Sequence, residues 1–170
     1  AGYPDIKLAV NVSTVQFVQD NFLDQVRTVL DKTGFPANRL ELEVTESAVM
    51  HDITTVAARL NALRALGISI AIDDFGTGYS SMAYLKSLPI DGLKIDRSFI
   101  TEIDAIHIGH IKSEALVDAL INLAENLGLL VVAEGVETKE QLEFLKRKNC
   151  HYVQGYFTGR PAPLPETIKK

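Results

Sequence analysis

Six short apolar-rich segments of this chain, most of them alternating apolar and polar residues, each carry a polar group at or near their end, with helical patterns between them. In residues 7–12, Leu8, Val10 and Val12 share one face while Lys7, Ala9 and Asn11 share the other. Residues 39–45 place Leu40, Leu42 and Val44 opposite Glu41, Glu43 and Thr45, and residues 68–73 place Ile68, Ile70 and Ile72 opposite Ser69, Ala71 and Asp73. Residues 93–96 set Lys94 and Asp96 against Leu93 and Ile95, residues 129–134 are apolar on both faces until Glu134, and residues 152–154 end in Gln154. Residues 21–31, 53–66, 80–88, 112–127 and 138–147 carry apolar side chains at three- and four-residue spacing, which predicts helices. Gly34, Gly67 and Gly128 stand as stop signals behind the first, second and fourth.

Strictly alternating strands and helices predict an α/β domain with a parallel sheet and right-handed crossovers. All strand C-termini then lie on one rim, where Asn11, Glu43, Asp73, Asp74, Lys94, Asp96, Glu134 and Gln154 converge, as active-site residues do on a (β/α)8 barrel. The 170 residues suit one domain, 1–170. A full barrel needs about 250 residues and eight strands, so an N-terminally truncated portion with about six strands is expected. The chain opens Ala1-Gly2-Tyr3-Pro4-Asp5 without an initiator Met, so the first strands are expected to precede it in a longer parent.

The adjacent carboxylates of Asp73 and Asp74 set the chemistry. Two like charges this close raise one pKa strongly unless a cation neutralises them, so either one Asp is protonated or a divalent ion sits beside them. The recurrence of polar strand ends favours the ion. A dinucleotide-binding turn at Gly76-Thr77-Gly78 is the poorer reading, because Ser81 stands where a third glycine belongs and the two carboxylates would repel a pyrophosphate.

Composition narrows the partners. A net charge of −5 argues against a DNA or RNA polymer, though not against a small phosphate ligand held through metals. No apolar run is long enough to span a bilayer and no signal-peptide pattern opens the chain, so a cytoplasmic domain is expected, with a membrane anchor in the parent left open. The single cysteine, Cys150, reads as a buried, inert thiol. His107 and His110 read as ordinary helix-start residues, and Glu41 as a salt-bridge partner within the barrel.

Six ordered motifs then match a family. Asn11-Val12-Ser13, Glu43-Val44-Thr45-Glu46, Asp73-Asp74-Phe75-Gly76-Thr77-Gly78-Tyr79-Ser80-Ser81, Leu93-Lys94-Ile95-Asp96, Val132-Ala133-Glu134-Gly135-Val136-Glu137 and Gln154-Gly155-Tyr156 resemble the motifs of the EAL-domain phosphodiesterases, which hydrolyse cyclic-di-GMP to pGpG. The resemblance implies a modified TIM barrel with one antiparallel strand, and a pair of Mg²⁺ or Mn²⁺ ions. It makes Asn11, Glu43 and Asp73 ligands of one metal, with Asp73 bridging to a second that Asp74 and Glu134 help to hold. It casts Lys94, Glu134 and Asp73 in catalysis, with the Lys94 pKa depressed by the cations beside it, and Gln154 and Asp96 in ordering water or substrate. Glu46 would anchor the loop of Phe75, Gly76, Thr77, Gly78, Tyr79, Ser80 and Ser81, which would link dimer contacts to the metal site. A homodimer and sensory or GGDEF domains in the parent are implied as partners.

The name-giving Glu-Ala-Leu, expected upstream of Asn11, is absent, and Glu114-Ala115-Leu116 lies inside a helical pattern away from any strand end. An inactive domain serving as a cyclic-di-GMP receptor or protein-interaction module is therefore the alternative reading.

Overall fold

Residues 6–50, 52–76, 85–104 and 110–163 are described by the structure, a computed structural model. Their strands are β1 (Leu8–Val12), β2 (Leu40–Thr45), β3 (Ser69–Phe75), β4 (Gly92–Ile95), β5 (Leu130–Ala133) and β6 (Tyr152–Val153). They form one six-stranded sheet in chain order, and every described pairing is parallel. The antiparallel strand that the resemblance implies is not among these six. The result is a half-barrel with β1 and β6 at its two ends.

Long crossover helices supply the outer layer: α2 (Phe22–Thr33), α4 (Ile53–Arg64), α6 (His110–Asn126) and α7 (Lys139–Arg147). Their positions follow the apolar periodicity, and local caps fix their starts. Asp52 accepts a hydrogen bond from Thr55 N at 3.2 Å to open α4, and Thr138 forms a capping box with Gln141 to open α7. Residues 80–84 of the expected helix at 80–88 lie outside the described residues, as do His51, His107 and the loop residues Thr77, Gly78, Tyr79, Ser80 and Ser81.

Three further helices were not expected, and each follows a strand: α1 (Thr14–Phe17), α3 (Glu46–Val49) and α5 (Arg97–Thr101). They are too short for a periodic apolar stripe to announce them. A local signal does exist at α1, where Ser13 Oγ accepts from Gln16 N at 3.2 Å and Gln16 Oε1 accepts from Ser13 N at 3.4 Å.

The outward strand face carries the core. Leu42, Val44, Ile70, Ile72, Leu93, Ile95 and Val131 form one buried cluster with Leu60 and Leu63 of α4, Val117 and Ile121 of α6, and Phe144 and Leu145 of α7. Each such side chain contributes about 1.5–3 kcal/mol on burial. The sheet is thus held from its helix side, which leaves its inner face free to carry charge. Parallel register fixes that face: Asn11 pairs with Glu43, Glu43 with Ala71, and Lys94 with Val132, two residues before Glu134.

Candidate metal centre

A buried ammonium organises the inner rim. Lys94 Nζ lies 2.7 Å from Glu134 Oε1, 2.8 Å from Glu43 Oε2 and 3.3 Å from Asp73 Oδ1. The side chain is almost wholly buried, and an isolated ammonium there would cost several kcal/mol. Burial alone would lower the Lys94 pKa, but its hydrogen bonds to Glu134 and Glu43, with the charge of Asp73, outweigh burial and hold it above the ordinary lysine value. These carboxylates therefore push it opposite to the depression expected from neighbouring cations.

Asn11, on β1, completes this side. With its amide nitrogen turned inward it donates to Asp73 Oδ2 at 3.0 Å and Glu43 Oε2 at 3.2 Å. With its oxygen turned inward the same three groups would present oxygens alone, which is the donor set of a hard cation.

A regular strand cannot point Asp73 and Asp74 to the same side. Here the β3–β4 register shifts between Ile72 and Phe75, and Asp74 adopts φ 55, in the left-handed region. Asp74 N donates to Asp73 Oδ1 at 3.0 Å, locking the pair. This irregularity brings one oxygen each of Asp73, Asp74 and Glu134 within 4.8 Å of one another, and the three could hold a metal ion. Burial raises the Asp74 pKa, and the charges of Asp73 and Asp96 add to it. Burial likewise raises that of Glu134, against the opposing pull of Lys94.

The donor set fits the implied ions. Every candidate ligand is a carboxylate or carboxamide oxygen, with no thiolate or imidazole, which suits Mg²⁺ or Mn²⁺ and not a soft metal. Glu43, Asp73, Asp74 and Glu134 outnumber the one ammonium, so the cluster keeps an excess of negative charge for divalent cations to neutralise.

The remaining expected residues frame this cluster. Glu46 opens α3, is buried, and accepts from Gly76 N at 3.1 Å, while Phe75 is buried in the core. Asp96 caps α5 by accepting from Ser98 N at 3.0 Å; these bonds outweigh burial and lower its pKa. Gln154 is exposed beyond β6, and its backbone amide donates to Ala133 O at 2.8 Å beside Glu134. His151 is a strand-edge residue whose Nδ1 accepts from Val131 N at 3.2 Å.

With this geometry the similarity to known proteins is consistent. The EAL domain description matches residues 1–161, and the chain belongs to the EAL-domain family. It is 48% identical over 164 residues to the cyclic di-GMP phosphodiesterase NbdA of Pseudomonas aeruginosa, covering 96% of this chain and 20% of NbdA. It is 45% identical to the bifunctional diguanylate cyclase/cyclic di-GMP phosphodiesterase MucR of the same organism, covering 98% of this chain and 24% of MucR. Among solved structures, the PaMucR phosphodiesterase in its c-di-GMP complex superposes with a TM-score of 0.91 at 44% identity, covering 98% of this chain and 66% of that one. The EAL domain of Mycobacterium smegmatis DcpA gives 0.87 at 42% identity, covering 97% and 72%. The chain thus spans about a fifth to a quarter of these curated relatives. Among the described residues no helix is long and apolar enough to cross a membrane.

Proposed function

We propose that the chain is the metal-bearing portion of a metal-dependent phosphodiesterase domain that hydrolyses cyclic-di-GMP to pGpG. The observation that carries this reading is the Lys94 ammonium set among Glu43, Asp73 and Glu134, with the Asn11 carboxamide and Asp74 beside them on the rim. Asn11, Glu43, Asp73, Asp74 and Glu134 would hold two Mg²⁺ or Mn²⁺ ions. When bound, such ions lower the pKa of a water and neutralise charge on the attacked phosphate and the leaving 3′ oxygen.

The chain's own groups supply the rest. Lys94 offers N–H donors at the centre of the carboxylates, where it orients the attacking water and steadies charge on the phosphate. Gln154 and Asp96 would order water or substrate. Glu46 holds the start of the loop of residues 75–81 through Gly76 N. Activity is proposed for the intact domain, in a cytoplasmic protein that pairs as a homodimer and carries sensory or GGDEF domains. Taken alone, the 170-residue chain, in which Glu-Ala-Leu occurs only within the helical pattern at 114–116, is proposed to be inactive.

The test is hydrolysis of cyclic-di-GMP by the full-length protein with Mn²⁺ or Mg²⁺, followed by chromatography of pGpG, beside Asp73→Asn. Turnover in the parent and its loss in Asp73→Asn, with the fold kept, is expected. Tight binding without turnover in the parent would assign the receptor role instead.

A further inference from the structure

The short helix α5 follows Lys94 and Asp96 directly, and it touches the chain just beyond β3 and β5, two of the strands that carry the candidate ligands. Gly76, two residues after Asp74, has φ +97, and a Cβ there would fall 2.8 and 2.9 Å from Cε2 and Cζ of Phe99. Gly135, immediately after Glu134, has φ +69, and a Cβ there would run into Arg97, coming within 3.2 Å of its Cα. Neither site accepts a side chain, by backbone conformation and by space. Gln141 adds a third tie: its Nε2 donates to Ile100 O at 3.2 Å, and its Oε1 accepts from Glu137 N at 2.8 Å and Thr138 N at 3.1 Å. Asp96 caps α5 and Ile100 anchors it in the core. The helix is therefore held by its own cap and by the core, and Gln141 ties it to the segment that follows Gly135.

We propose that Phe99 is a positioning residue for the Asp73–Asp74 pair, bracing Gly76 from one side while Glu46 holds it from the other. The proposal rests on reading the carboxylate rim as a metal centre. Asp74 sits at φ 55, in the left-handed region that residues with a Cβ adopt uncommonly, and such a backbone is held by its neighbours. On its N-terminal side β3 keeps its pairing to β2 as far as Asp73, opposite Thr45, while the β3–β4 register shifts between Ile72 and Phe75. On its C-terminal side Phe75 is buried and pairs with Ile95, and the turn beyond it is fixed at Gly76, which meets the Glu46 carboxylate and the Phe99 ring edge. Phe99 is only partly buried and packs at the margin of the core. Truncating it removes the brace without emptying the centre of the fold.

Two readouts on the full-length protein test this: Mn²⁺ affinity by calorimetry, and exchange of the Gly76 amide hydrogen, which the Glu46 bond protects. Phe99→Ala is expected to weaken Mn²⁺ binding about tenfold or more and to speed Gly76 exchange by a similar factor. Phe99→Met, whose flexible chain reaches the same space, is expected to recover most of both. Ile100→Val on the same helix lowers thermal stability through the core and is expected to leave both readouts near wild type. Should Phe99→Ala not fold, Phe99→Leu carries the same expectation, since it lacks the ring edge that meets Gly76. Wild-type affinity and Gly76 protection in the truncated variant, or equal losses in Ile100→Val, would overturn the proposal. A parent that binds no Mn²⁺ would sink the metal-centre reading instead, while Gly76 exchange would still decide whether Phe99 braces the loop.

Discussion

Lys94 Nζ, on β4, and Glu134 Oε1, just past the end of β5, lie 2.7 Å apart at the centre of an otherwise acidic rim. Removing the ammonium leaves buried carboxylates uncompensated, which costs about 3–5 kcal/mol for a broken buried pair. Lys94→Met is therefore expected to lower the thermal midpoint sharply in chelator and to regain much of it in Mn²⁺. Calorimetry should find Mn²⁺ bound at least as tightly as in the parent, since a competing cation is gone, while hydrolysis falls by about two to four orders of magnitude. Loss of Mn²⁺ binding together with activity would mean that Lys94 builds the site and does not act in it.

Proton binding sets a second expectation. Burial raises the pKa values of Asp74, Glu134 and Glu41 in the folded chain. A carboxyl whose folded value exceeds its unfolded one stabilises the fold below the unfolded value and loses that contribution as pH rises through the folded one. In chelator, then, the thermal midpoint should rise as pH falls from neutral toward about 5, above the ordinary carboxylate range near 4. Asp96 and Asp52, whose values hydrogen bonding lowers, act oppositely but only at lower pH. Mn²⁺ competes with the same protons, so its affinity should fall over the window in which the chelated chain gains stability. A midpoint that drops steadily on acidification in chelator would refute this assignment.

Strand parity made much of the site legible. A period of two, with apolar residues on the helix side, places Asn11, Glu43, Asp73 and Lys94 on one face without any knowledge of tertiary contacts, while Glu134 stands out as the polar end of a strand apolar on both faces. Asp74 was legible only as a neighbour of Asp73, because the register shift and left-handed backbone that bring it to the rim have no two-residue period. The helix α5 was missed for a different reason. Its five residues bury little, and its role lies in long-range contacts to Gly76 and Gly135. Both glycines were visible in the motifs, but which side chain excludes a Cβ there depends on packing.

Cys150 gives a chemical check on the fold. Burial pushes its thiol up to about 11, and the Sγ–H donates toward Tyr152 O at 3.3 Å. Against an ordinary thiol, the thiolate fraction near neutral pH is lower by roughly a hundredfold. Alkylation at about pH 8 should be slow in the folded chain and rapid in denaturant, as followed by mass spectrometry. Fast labelling of the folded protein would show that the β5–β6 end opens readily.

Asp91 separates stability from function, because it works at the opposite end of the strands from the carboxylate rim. Its Oδ2 accepts from Ile70 N at 3.0 Å and its Oδ1 from an Arg64 guanidinium nitrogen at 2.7 Å, at the start of β4. Arg64 and Asp91 are both partly open to water, so their ion pair adds little. The bond to the Ile70 amide matters more, since Ile70 is fully buried and an unpaired N–H there costs about 1–3 kcal/mol. Asp91→Ala should therefore lower stability to urea by about that amount, while Asp91→Asn, which keeps the acceptor, should recover most of it. Both variants should bind Mn²⁺ as the parent does, because residues at this end of a parallel sheet serve the fold and those at the other serve the chemistry. A loss of Mn²⁺ affinity in Asp91→Ala beyond its loss of stability would show that the two ends of the half-barrel are coupled.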